Sequence, residues 1–232
     1  MYVDSYCERT APGLWNEPLN AASNAAFLVA ALLLFLVLRR AGAAPRGVRV
    51  LPGLIALVGV CSWIFHMAAT APTAALDSLS ILVFILVTVT VLVHRRWGVR
   101  WALAWLAAPA FVLFAAAVTW ALSAGAGTTL GGYPPALLAL IGFGVAAHGA
   151  AGRALLAAAG VFAVSLTLRT VDGPLCGAIP TGTHFLWHCL NAVVLFLAGY
   201  ATLLSVPGTG RKAVAAGAGV RSDTNGCESA AS

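Results

Sequence analysis

Residues 184–205, HFLWHCLNAVVLFLAGYATLLS, decide the fold. The run carries no formal charge, and as a helix rising about 1.5 Å per residue it reaches across the roughly 30 Å hydrocarbon core of a bilayer. It is apolar on all sides, so it has no water-facing stripe to offer a soluble domain. Only its first turns break the pattern. His184 and His188 stand four residues apart, which on a helix sets both rings on one face about one turn apart.

Six further apolar runs precede it, at residues 20–38, 50–69, 74–94, 101–123, 134–151 and 154–170. The fifth and sixth are rich in Ala and Gly and separated only by Gly152 and Arg153, which predicts a tight helical hairpin there. Composition agrees, with 61% hydrophobic and 9% charged residues. The fold class is therefore an all-α integral membrane bundle of seven transmembrane helices. No internal repeat divides it. An N-terminal segment, 1–19, leads into the transmembrane domain, 20–205, and a Gly/Ala/Ser-rich segment, 206–232, reads as a mobile tail.

Basic residues orient the bundle. Arg39, Arg40, Arg46 and Arg49 lie between the first and second runs, Arg95, Arg96 and Arg100 between the third and fourth, and Arg153 between the fifth and sixth. Arg211, Lys212 and Arg221 follow the seventh. All fall on one side of a seven-helix bundle, which becomes the cytoplasmic side; only Arg9 and Arg169 fall towards the other. The N-terminus is then outside and the C-terminus cytoplasmic, in the cell membrane. The net charge of +6 is a topological signal and makes no case for nucleic acid. The first residues carry Asp4, Glu8 and Glu17 rather than a basic leader, so the first helix reads as an uncleaved signal-anchor.

The ionisable residues gather at the outer ends of the helices. His66 closes the second run in Ser62-Trp63-Ile64-Phe65-His66, and Asp77 opens the third after a short link containing Thr70, Pro72 and Thr73 that reverses the chain. Together with His184 and His188 this makes three imidazoles and a carboxylate at one end of the bundle. Such groups at membrane depth are costly and mark functional sites. Three neutral imidazoles with an open position suit a catalytic zinc ion and its hydrolytic water. A hydrogen-bonded cluster that stabilises the bundle and a transporter's proton relay use the same residue types. His94 and His148 fall at the inner end and read as interfacial or packing residues, and Cys61 and Cys189 as space-fillers off the ligand face.

A second polar group runs along the N-terminus through Asp4, Glu8, Glu17, Asn20, Ser23 and Asn24, with Glu17, Asn20 and Asn24 on one helical face. It fits an acidic cap on the first helix, with Ser23 and Asn24 bonded to neighbouring helices. It also fits a hard-cation site of carboxylate and amide oxygens. Cys7 and Cys176 share the outer side, as a disulfide pinning the N-terminal segment over the site or as two free thiols.

These residues resemble the alkaline ceramidase branch of the CREST superfamily of seven-helix membrane hydrolases, over residues 4 to about 192. The resemblance rests on Tyr6-Cys7-Glu8, on Glu17-Pro18-Leu19-Asn20-Ala21-Ala22-Ser23-Asn24, on Ser62-Trp63-Ile64-Phe65-His66 with Asp77, and on His184-Phe185-Leu186-Trp187-His188. It implies that His66, His184 and His188 hold zinc, that Asp77 orients or deprotonates the water, and that Ser62 steadies the oxyanion. It implies a Cys7–Cys176 bridge and a calcium site to which Glu8, Glu17 and Asn20 carry over. The N-terminal segment departs from the family pattern: Ser5 fills the slot expected for Asp4, and Thr10 stands where an asparagine ligand would be. The implied activity is hydrolysis of the amide of a ceramide-like lipid to a sphingoid base and a fatty acid, with Trp63, Phe185 and Trp187 as walls for the substrate. Hydrolysis of another lipid amide or ester, and a non-catalytic seven-helix receptor with structural zinc, are the alternatives.

Overall fold

Prolines and capping side chains set where the helices begin. The structure, a computed structural model, describes residues 1–42, 44–126 and 132–205. Among these residues it holds ten helices and no strand: α1 (Pro18–Ser23), α2 (Ala25–Arg40), α3 (Arg46–Arg49), α4 (Leu51–Ala68), α5 (Ala71–Trp97), α6 (Trp101–Ala104), α7 (Ala107–Ala126), α8 (Pro134–Ala147), α9 (Gly149–Leu175) and α10 (His184–Leu204). Pro18, Pro52, Pro72 and Pro135 sit in first turns, where a missing N–H costs nothing. The tail at 206–232, with Arg211, Lys212 and Arg221, lies outside the described residues.

Six stretches are long and apolar enough to cross a membrane: Pro18–Arg40, Arg46–Ala68, Ala71–Trp97, Trp101–Ala124, Gly149–Leu175 and His184–Leu204. The fifth apolar run of the sequence is the exception. Its helix α8 has 14 residues, about 21 Å, because the chain turns earlier than expected. The turn falls at His148 and Gly149, both with positive φ (50° and 59°), and not at Gly152 and Arg153. Gly152 instead lies in the first turns of α9, against α8: a Cβ there would fall 2.5 Å from the Gly144 carbonyl oxygen. Its smallness serves a close helix crossing rather than a turn.

The link between α4 and α5 reverses the chain as anticipated. α4 ends with Ala69 in the left-handed region (φ 44°), its N–H donating to the Phe65 carbonyl at 2.7 Å. Thr70 and Thr73 then form a capping box that opens α5. The first residues of the chain lie along this link, with Val3 N–H donating to the Ala69 carbonyl (2.8 Å) and Ala71 N–H to that of Met1 (3.0 Å).

The core runs down the middle of the bundle through Leu34, Ile55, Val58, Phe84, Phe162, Trp187 and Leu195. Leu34 fits against Gly199 of α10, where a Cβ would approach it to 2.6 Å. On the outside of the bundle, α7 leaves Leu113 and Trp120 72% and 73% exposed, an apolar surface that suits lipid and not water. At the end away from the histidines, Arg95 donates to the Thr202 carbonyl (2.7 Å) and Arg96 to that of Ala147 (2.6 Å), satisfying orphan carbonyls where α10 and α8 finish. His94 stacks on Trp101 and donates to the Val99 carbonyl, which makes it the packing residue expected.

Candidate metal centre

The last turn of α4 supplies His66, and the first two turns of α10 supply His184 and His188. All three are buried, and each offers a ligand nitrogen within 4.8 Å of the other two. The ring centroids of His188 lie 4.6 Å from those of both His66 and His184. Nε2 of His66, Nδ1 of His184 and Nε2 of His188 have no hydrogen-bond partner among the described residues. Three orphaned imidazole nitrogens in an apolar surround are costly unless something accepts their lone pairs. This donor set fits zinc.

The opposite nitrogens of two rings are tied down from the two ends of α1, by its N-cap Glu17 and its last residue Ser23. His66 Nδ1–H donates to Glu17 Oε2 at 2.5 Å, which leaves its Nε2 as a free acceptor. His188 Nδ1 meets Ser23 Oγ at 2.7 Å. The Ser23 hydroxyl already donates to the Asn20 carbonyl at 2.9 Å, so the imidazole must be the donor of this bond. Both rings thus present Nε2 without a proton, the state a metal ligand needs. The third ring, His184, stacks on Tyr6 with centroids 3.6 Å apart and planes 21° from parallel. Burial pushes the Tyr6 phenol above its ordinary pKa, so the stacked ring stays uncharged.

Glu17 is the hub of the N-terminal side. Its Oε1 accepts from Arg9 Nε, and its Oε2 accepts from His66 and from Asn20 Nδ2 (2.9 Å). Burial alone would raise this carboxyl, but the bonds from His66, Arg9 and Asn20 outweigh it and hold its pKa below the usual value. Glu8, its companion in the sequence reading, accepts the backbone N–H groups of Leu19 (2.6 Å) and Asn20 (2.8 Å) at the start of α1. Every carboxylate oxygen of Glu8 and Glu17 therefore already accepts a hydrogen bond, and of the proposed calcium oxygens only Asn20 Oδ1 lacks a partner among the described residues. A calcium ion takes six to eight oxygens, and this donor set does not fit it.

Asp172 is a site residue that no motif or spacing in the sequence singles out. It is 2% exposed, near the end of α9. Its Oδ1 accepts the N–H groups of Thr183 (2.6 Å) and His184 (2.9 Å), and its Oδ2 accepts that of Cys7 (3.0 Å). One carboxylate thus caps α10 and fixes the N-terminal segment. Gly182, at φ 64°, passes so close that a Cβ would strike Asp172 Oδ1. Cys7 and Cys176 form a disulfide, the pairing that the family resemblance implies, with Cα atoms 5.1 Å apart.

Ser62 and Asp77 line one cavity with Tyr6, His184, Trp187 and His188. Asp77 Oδ1 is buried without a partner, and Ser62 is 3% exposed. From there the cavity runs between the helices to Leu92, Phe143, Leu155 and Ala198. Asp77 to Leu92 spans about 22 Å of α5. Of the three aromatics expected as walls, Trp187 lines the cavity; Trp63 is 43% exposed on the outside of the bundle and Phe185 is not among the lining residues. The Arg169 guanidinium lies over the rings of Tyr133 (4.7 Å) and Trp187 (5.7 Å) behind the site.

Among known families, the model described as Ceramidase matches residues 6–142, more than half of the chain. The match takes in Glu17, Ser62, His66 and Asp77, while His184 and His188 lie beyond it. No curated protein matches the chain.

Proposed function

The chain belongs to the ceramidase family, and on that premise we propose that it is a zinc-dependent membrane amidase that cleaves ceramide-like lipids to a sphingoid base and a fatty acid. The observation that carries the reading is the convergence of three buried, unpartnered imidazole nitrogens beside Asp77 and Ser62 at one end of a long apolar cavity. His66, His184 and His188 would hold the ion. Zinc bound there would supply Lewis acidity to a water and to the scissile carbonyl at neutral pH.

The protein's own groups do the rest. Asp77 takes a proton from the attacking water and returns it to the leaving amine nitrogen. The Ser62 hydroxyl donates to the carbonyl oxygen as charge gathers there, and loss of one such donor typically costs about 2.7–4 kcal/mol of barrier. Glu17 and Ser23 keep His66 and His188 in the tautomers that leave Nε2 free. The acyl chain lies along the apolar cavity, parallel to α5, with the head group at the Tyr6 end. We place the site near the extracytoplasmic face of the cell membrane. The chain crosses seven times, α8 included, with the N-terminal segment, 1–19, outside and the arginine-rich helix ends and the tail, 206–232, in the cytoplasm.

Zinc content and lipid-amide hydrolysis of the purified protein test the reading, beside His184→Ala and Asp77→Ala. His184→Ala is expected to lose both zinc and hydrolysis. Asp77→Ala is expected to keep zinc and lose turnover. Zinc and full turnover retained by His184→Ala would end the ligand assignment, and full turnover in Asp77→Ala would end the proton-transfer role.

A further inference from the structure

Arg9 is buried at 4% exposure, in an N-terminal segment that the fold presses against the metal centre. Its guanidinium gathers oxygens from three parts of the chain. Nε donates to Glu17 Oε1, Nη1 to the Gly13 carbonyl (3.2 Å) and Nη2 to the His66 carbonyl (2.7 Å). The Tyr2 ring closes the remaining side, 5.7 Å from the guanidinium carbon. A carboxylate oxygen and two backbone carbonyls are the oxygens a hard cation collects. Here a side chain holds them.

We propose that Arg9 is the resident cation of this N-terminal cluster, in the place of a hard metal ion, and that the chain consequently folds and works without calcium. Glu17 needs a positive partner because it is fully buried while accepting from His66, and an uncompensated buried carboxylate would be severely destabilising. Arg9 supplies that charge covalently and orients it as a fork, which a diffusible ion cannot do. Its bond to the His66 carbonyl reaches the same residue that Glu17 holds by the ring. Arg9 is therefore a positioning residue for the metal ligand at both ends. A divalent ion seeking the same oxygens would meet the guanidinium charge first. The calcium-free activity rests on the amidase reading; the structural role of Arg9 does not.

The test uses the full chain in detergent, stripped of calcium on a selective resin with free zinc held constant. Thermal unfolding and ceramide hydrolysis are then followed as calcium is added. The natural chain is expected to show no shift in its unfolding midpoint and no gain in rate. Arg9→Met is expected to unfold at lower temperature and to bind zinc about 10–100-fold more weakly, with calcium restoring part of the midpoint. Arg9→Lys keeps the charge and is expected to stay insensitive to calcium. A calcium-dependent midpoint or rate in the natural chain or in Arg9→Lys overturns the proposal, as does an Arg9→Met variant with unchanged midpoint and zinc affinity. A natural chain that melts identically with and without calcium yet cleaves no lipid amide would remove the amidase reading and leave the role of Arg9 standing.

Discussion

The single hydroxyl hydrogen of Ser23 goes to the Asn20 carbonyl, and that bond decides the tautomer of His188, 165 residues away in sequence. Ser23→Ala removes the acceptor for the imidazole N–H and lets the ring choose either nitrogen. The expected outcome is an intact fold with zinc affinity lowered about 10–100-fold, read by competition with a chromogenic chelator. Unchanged affinity would show that packing alone holds the ring. At this scale the three histidines were legible, because the four-residue spacing and the helix ends are properties of sequence. Glu17 was read as an acidic cap or a calcium oxygen, and its bonds from Arg9, His66 and Asn20 were not read from the sequence. Its acceptor role follows from a loop in which Gly13 (φ 126°) and Trp15 (φ 63°) take left-handed backbone and turn the acid back towards α4, and nothing in residue spacing announces that loop. Tyr6 was visible only as part of a motif, since stacking on His184 depends on tertiary placement.

At the scale of elements, α10 begins where it does because Asp172 accepts two of the N–H groups at its start. Asp172→Asn replaces one acceptor oxygen by a donor and removes the charge. The expected loss of stability is about 1.5–3 kcal/mol, the range for a hydrogen bond to a charged group, measured by thermal unfolding with zinc present and absent. The loss should be larger with zinc present, because the cap also sets the position of His184. An equal loss in both conditions would separate the cap from the metal ligand. The helices themselves were legible from unbroken apolar runs, and the α4–α5 reversal from its Thr and Pro residues. The α8–α9 turn was not. That stretch is nearly all small residues and has no period to count, and a glycine there serves a turn or a close crossing equally well; Gly152 proved to serve the crossing.

Across the whole molecule, one covalent link joins the first turns of the chain to the last loop: Cys7 and Cys176 are 169 residues apart. Cys7→Ser with Cys176→Ser is expected to cost about 2–5 kcal/mol, seen as a lower unfolding midpoint that reductant reproduces in the natural chain. A double variant as stable as the natural chain would mean that Asp172 and the Tyr6 stack alone hold the segment. That these cysteines lie at one end of the bundle was legible from the order of the apolar runs between them. The same long separation has a consequence in time. At about 5–20 residues per second, a ribosome needs roughly 8–34 s to pass from Cys7 to Cys176, and longer to reach His188. For the part of that interval after His66 is made, it and Glu17 wait while the other two imidazoles do not yet exist. The three-histidine centre is thus assembled last from pieces made first and last, and a chain stopped before α10 carries only one of its three imidazoles.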